Sequence, residues 1–165
     1  MKITLILTLT LSLLSTALFA DSKLITISNQ SQPAIQIAIP SDASVTSKGL
    51  KTSIESADRS LRIYLWLIPS TPSIDSLLPK IASLIKSEFL EWTPQSTSIL
   101  SIAGHPAKYL KGNGEEADDN DPGAAEVAVF TDGKNSFIAC VHGEKDHAAK
   151  QHARFLQILE SIKPL

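Results

Sequence analysis

The stretch Ala125-Glu126-Val127-Ala128-Val129-Phe130-Thr131-Asp132-Gly133-Lys134-Asn135-Ser136-Phe137-Ile138-Ala139-Cys140-Val141-His142 decides the fold. Ala125–Thr131 and Ser136–His142 are two strand-like runs, and Asp132-Gly133 between them is a hairpin signal, because glycine supplies the positive φ that a tight turn needs. In the second run both faces are apolar. Phe137, Ala139 and Val141 alternate with Ile138 and Cys140. A strand of this kind belongs in the middle of a sheet that is covered on both sides.

Working outward, a second hairpin precedes this one. Ser98–Ala103 and Ala107–Gly112 flank Gly104-His105-Pro106, a tight connection between two more strands. Further upstream, Ser60–Ile68 alternates strongly, with Leu61, Ile63, Leu65 and Leu67 opposite Arg62, Tyr64, Trp66 and Ile68. The weaker run Thr52–Ala57 pairs with it through a turn near Asp58-Arg59, and Ala34–Ile39 is an opening strand closed by Pro40.

Two segments carry helical spacing. Thr71-Pro72 and Ser73 provide start chemistry, and Ile74, Leu77, Leu78, Ile81, Leu84, Ile85, Phe89 and Trp92 recur at steps of three and four. Pro79 either kinks this amphipathic helix or opens its regular part, and Thr93-Pro94 stops it. Asp146 caps a final helix whose buried stripe is Ala149, Ala153, Leu156 and Leu159, joined by Phe155 and Ile162. The order of strand, hairpin, helix, two hairpins and helix predicts an α+β fold, an antiparallel β-sheet flanked by helices in a single domain.

The amino terminus reads as an address. Met1-Lys2 is a short positive region, Ile3–Ser15 is apolar, and Ala17 and Ala20 place small residues at a cleavage-like site before Asp21. Residues 1–20 are therefore expected to be a secretory signal peptide, and 21–165 the exported domain, periplasmic or secreted. The apolar run is shorter than the roughly 20 residues of a spanning helix. No cysteine follows it, so no stable membrane anchor is expected after cleavage.

Composition bounds the function classes. The 165 residues are 43% hydrophobic, enough for one core, with a single cysteine and a net charge of −2. One cysteine excludes an intramolecular disulfide framework and a cysteine-rich zinc module. Fifteen Lys+Arg against seventeen Asp+Glu give no electrostatic support for nucleic-acid binding. The acidity is local: Glu115, Glu116, Asp118, Asp119, Asp121 and Glu126 crowd one short segment of a mildly basic body.

The chain resembles the PsbP/Mog1-like superfamily, including the DcrB-type exported proteins. The resemblance is carried by the opening strand ending in Ile39-Pro40, the turn Ile102-Ala103-Gly104-His105-Pro106-Ala107, the Asp132-Gly133 hairpin and the closing Phe155-Leu156-Gln157-Ile158-Leu159-Glu160-Ser161-Ile162-Lys163. It covers nearly all of 21–165 and implies a compact antiparallel sheet flanked by helices. It further implies a non-catalytic accessory or binding module, but its members bind different partners and pick none here; the expectation for this chain is a monomer with an envelope protein or a small ligand as partner. No family catalytic signature comes with it.

Three groups of residues bear on function. Arg62, Tyr64 and Trp66 form either a recognition surface or a face covered by a helix, with His105 and His142 as further ligand or partner residues. Glu115, Glu116, Asp118, Asp119 and Asp121 repel one another, a repulsion Ca²⁺ would relieve, yet their spacing fails the EF-hand template. The alternative is a solvated loop. Cys140 and His142, two apart on one strand face, would make a thiol hydrolase pair. A cysteine within an apolar run instead reads as core. Among the histidines, His147 and His152 are five apart, about 140° around a helix, and make no ligand pair. The expectation is an exported binding protein without catalysis, no resident cofactor, and Ca²⁺ binding as the alternative.

Overall fold

The computed structural model describes residues 21–29, 32–69, 73–143 and 145–165, with the side chains of 145–150 left aside. The expected signal peptide, the helix start at Thr71-Pro72 and the side chains of His147 and Ala149 lie outside what is described, while the last helix opens at Lys145, so Asp146 stands inside it rather than at its cap. Among those described, ten strands fall into two sheets. The larger contains β3 (Ser44–Lys48), β4 (Lys51–Glu55), β5 (Arg62–Pro69), β6 (Phe89–Ile102), β7 (His105–Glu116), β8 (Pro122–Thr131) and β9 (Asn135–Gly143). Its order is β3-β4-β5-β9-β8-β7-β6, and every pairing is antiparallel. The smaller holds β1 (Ser22–Asn29), β2 (Gln32–Pro40) and β10 (Lys163–Pro164). The fold class is α+β, as the sequence predicts.

β9 lies at the centre, between β5 and β8. Its alternation separates two cores. Phe137, Ala139 and Val141 join Ile63, Leu65 and Leu67 of β5 in one core. That core is closed by Ile35, Ile37 and Ile39 of the small sheet and by Phe155, Ile158 and Leu159 of α3 (Lys145–Glu160). Ile138 and Cys140 join Tyr64 and Trp66 in the other. That side is covered by α1 (Ile74–Leu77) and α2 (Ile81–Ile85), through Leu77, Ile81 and Ile85, and by Phe89 and Trp92. The Arg62–Tyr64–Trp66 face is thus largely covered: Tyr64 and Trp66 are 8% and 9% exposed.

Two helical expectations need correction. The pattern over Ile74–Trp92 is not one helix: a 3₁₀ turn at Leu78–Lys80, carrying Pro79, breaks it, and helical structure ends at Ile85. Phe89 and Trp92 begin β6 instead, an edge strand in which Pro94 lies at a register shift. An edge bulge tolerates a residue without an N–H, so Pro94 does not terminate the element. Phe89 and Trp92 still reach the core because β7 offers glycines below them. A Cβ on Gly112 would stand 2.5 Å from the Thr93 carbonyl oxygen and from Trp92 Nε1. In α3 the buried stripe is Gln151, Phe155, Ile158 and Leu159 with Ile162 beyond, whereas Ala153 is exposed and Leu156 half-buried. This spacing of four, three and one is still helical, but turned away from Ala153.

β1 and β3 are absent from the sequence expectation. β3 is exposed along its length and carries no apolar alternation, whereas β1 turns only Ile25 and Ile27 to the core, too short a pattern to stand out. Among the described residues no helix is long and apolar enough to cross a membrane.

Candidate functional site

The polar end of the larger sheet is built around two chain reversals. The β4–β5 turn carries Arg59, β5 opens with Arg62, and the β7–β8 turn spans Ala117–Asp121. The last is pinned by the Glu116 amide on the Asp121 carbonyl and by the Ala117 amide on the Glu88 carbonyl. Asn120 takes φ +61° there, a left-handed position that asparagine tolerates. β9 then delivers His142 to the same end, on the face of Tyr64 and Phe89.

His142 is buried and firmly held. Its ring stacks on Tyr64 at 5.4 Å between centroids and 9° between planes, and Phe89 lies against it at 5.6 Å. Nδ1 meets the Glu116 carboxylate at 3.0 Å, while Nε2 is buried and has no hydrogen-bond partner among the described residues. A buried polar atom left unpaired costs free energy, so this one asks for an explanation.

Beside it runs a network of charges. Lys51 Nζ pairs with Glu88 and sits 4.4 Å from the Tyr64 ring centroid. Burial disfavours the Glu88 charge, yet bonds from Lys51, Ser87 and Tyr64 hold its carboxyl below the ordinary range. Burial first, then the bond to Glu88, pushes the Tyr64 phenol well above its ordinary value. Arg62 donates through Nη2 to Glu55 at 2.9 Å, which raises its already high value. At neutral pH these groups are a fixed array of charges and a neutral phenol.

Two hollows open here. One, of about 200 Å³, is lined by Arg59, Arg62, the acids Glu116, Asp118, Asp119 and Asp121, His142, Gly143 and Gln151. The other, of about 180 Å³, is lined by Arg62, Tyr64, Ser87, Glu88, Ala117, Asp118 and His142. They share Arg62, Asp118 and His142. Each has the scale of a cavity that holds one small ring.

The structure therefore gathers Arg62, Tyr64 and His142, and adds Glu116, Asp118, Asp119 and Asp121 from the acidic segment. Trp66 stays behind Tyr64 in the core, at 6.0 Å between ring centroids. His105 begins β7 and lies near the Gly133 turn, at the opposite end of the sheet from His142. Glu115 pairs with Leu90 and Pro122 in the strands rather than lining a hollow. Among the described residues no group of three or more His, Cys, Asp or Glu is arranged to hold a metal ion. Cys140 is fully buried, and burial drives its thiol far above the ordinary value, so no thiolate forms beside His142 at neutral pH.

Sequence reasoning missed Gln151, Glu88, Lys51 and a second polar cluster. On the opposite face Glu126, 6% exposed, accepts from Tyr109, meets His152 Nδ1 at 2.8 Å and Lys111 Nζ at 3.2 Å. The only sequence signal was a charge at an inward position of an apolar strand. The partner helix that makes it tolerable lies 26 residues away.

No family model and no curated protein matches the chain. Solved structures do. The cyanobacterial PsbP (CyanoP) of Synechocystis sp. PCC 6803 superposes with TM-score 0.62 at 10% identity, over 89% of this chain and 94% of that one. A protein of Bacteroides thetaiotaomicron VPI-5482 gives 0.62 at 14% identity over 88% of this chain, which spans only 49% of it. LpqN, involved in cell envelope biogenesis of Mycobacterium tuberculosis, gives 0.52 at 12% identity, covering 87% and 90%. At these identities the likeness is one of fold: a PsbP-like α+β architecture.

Proposed function

We propose that this protein is an exported accessory protein that binds a small ligand, without transforming it, in the hollows around Arg62, Tyr64 and His142. One observation carries this reading. Two hollows share Arg62, Asp118 and His142, and the buried Nε2 of His142 has no partner among the described residues. Polar groups in a fixed array, with one left unfilled, are what a preorganised binding site requires.

Residues 1–20 act as a cleaved leader and 21–165 as one secreted domain. The likeness to LpqN, a protein of cell envelope biogenesis, supports an envelope setting. The reading is non-catalytic because the one thiol is sealed in the core and His142 spends Nδ1 on Glu116. The Ser87 hydroxyl in the second hollow donates to Glu88, but that carboxyl is paired with Lys51 and held below the ordinary range, which makes it a weak base.

Thermal-shift measurements on the purified protein against sugars, amino acids, polyamines and nucleotides test it. A stabilising compound is expected to lose its effect in both Arg62→Gln and His142→Phe. Hits indifferent to both substitutions, or consumption of a hit compound followed by mass spectrometry, would overturn the reading. Amino-terminal sequencing of the protein from its native cells is expected to begin at Asp21.

A further inference from the structure

The larger hollow is unbalanced in two respects. Its lining sets two arginines against four carboxylates, and both arginines already lean on Glu55, at 2.9 Å from Arg62 and 4.0 Å from Arg59. Asp118, which borders both hollows, forms no hydrogen bond or ion pair within the described residues. The local field therefore favours a positive charge.

The second imbalance concerns hydrogen bonds. Two residues lining this hollow bury a polar atom that has no partner among the described residues, His142 at Nε2 and Gln151 at Oε1, and the two residues are 8% and 6% exposed. A carboxylate only accepts, so in a neutral imidazole Glu116 fixes the proton on Nδ1 and leaves Nε2 an acceptor. The Gln151 oxygen is an acceptor too. With the four carboxylates, the lining carries acceptors for which its two arginines, turned toward Glu55, are the main donors. A structural role explains neither atom, since apolar side chains of the same size would fill both places at no such cost.

Resting on the reading of these hollows as the ligand site, we propose that the ligand presents a cationic, donor-rich group, an alkylammonium or guanidinium, to the hollow between Asp118, His142 and Gln151. Such a group brings several N–H donors on one positive centre, which meets both deficits together. The same chemistry occurs on a free polyamine and on a basic peptide side chain.

The test is a titration at low ionic strength, followed by calorimetry and by amide NMR shifts. The probes are agmatine and acetyl-glycyl-arginyl-glycinamide, with glucose and inorganic phosphate beside them. One or both cationic probes are expected to saturate at one site, with shifts centred on Asp118, His142 and Gln151. Which of the two binds tighter separates a free amine from a peptide. Gln151→Met is expected to raise the dissociation constant about tenfold, as loss of a hydrogen bond to a charged group does. Its melting temperature should stay level or rise, a combination that a merely structural glutamine would not give. Asp118→Asn, an exposed change, should weaken binding in a salt-dependent way.

Phosphate binding without agmatine binding, glucose binding as strong as agmatine, or cation binding indifferent to both substitutions would each overturn the proposal. In the first two cases a ligand hollow of other chemistry survives if His142→Phe abolishes that binding. Silence from all four probes also overturns it, and the broader binding reading then stands or falls on the thermal-shift panel.

Discussion

His142 and His152 both turn Nδ1 to a glutamate, Glu116 at 3.0 Å and Glu126 at 2.8 Å, on opposite faces of one sheet. Their surroundings differ. Around His152 the cluster is closed: the Tyr109 hydroxyl, Lys111 and His152 all converge on Glu126, whose two oxygens are thereby filled. Around His142 the cluster is open: Nε2 is buried without a partner among the described residues, and the residue walls two hollows. The difference teaches that a polar group under a helix is there because its bonds are complete. A polar group left incomplete at a cleft is a cost to stability, and such costs collect at binding sites.

The largest expected effect breaks the closed side. Glu126→Ala leaves the buried Tyr109 hydroxyl and Lys111 without their acceptor, and should cost about 2–3 kcal/mol in urea unfolding. A loss below about 0.5 kcal/mol would show that the cluster is not structural. Less is expected on the open side. His142→Phe keeps the stack on Tyr64 and removes the orphaned acceptor, so stability should stay within about 1 kcal/mol while ligand binding goes. Equal losses at the two sites would erase the contrast.

The smallest effect concerns the rim. Asp58, in the turn that carries Arg59 to the hollow, accepts from Ser56 and Ser60, which lower its carboxyl from 3.8 to about 2. A folded value below the unfolded one means stability that is complete above 3.8 and lost as pH falls through about 2. The stability gap between the protein and Asp58→Asn should therefore be constant at neutral pH and shrink over that window. Urea unfolding at stepped pH measures it, and a gap that stays level down to pH 2 would remove the turn bonds as the cause.

How legible each part was follows from how local its cause is. The β8–β9 hairpin was readable because Asp132-Gly133 and the two-faced apolar run are signals within twenty residues. The broken helix was misread at its end, since Phe89 and Trp92 keep a helical step while packing from a bulged edge strand. Arg62 and His142 stood out as polar residues beside apolar runs, but nothing in the sequence put them together. Gln151 and Asp118 gained meaning only through contact: one is buried at the start of α3, the other sits on a turn that Glu88 pins. β3 escaped because an exposed strand has no reason to alternate, and β1 because only Ile25 and Ile27 turn inward.

By itself the sequence determined the α+β class, the central two-faced strand, the burial of Cys140 and the local character of the acidity. Alternation, turn chemistry and composition act over a few residues, so they are written along the chain. Only the tertiary structure decided that Arg62, Asp118, His142 and Gln151 border one hollow while His105 stands at the far end. Which residues meet depends on strand order and register, which are fixed by the packing of both cores together. The same packing seals one histidine cluster beneath a helix and leaves the other facing a cleft.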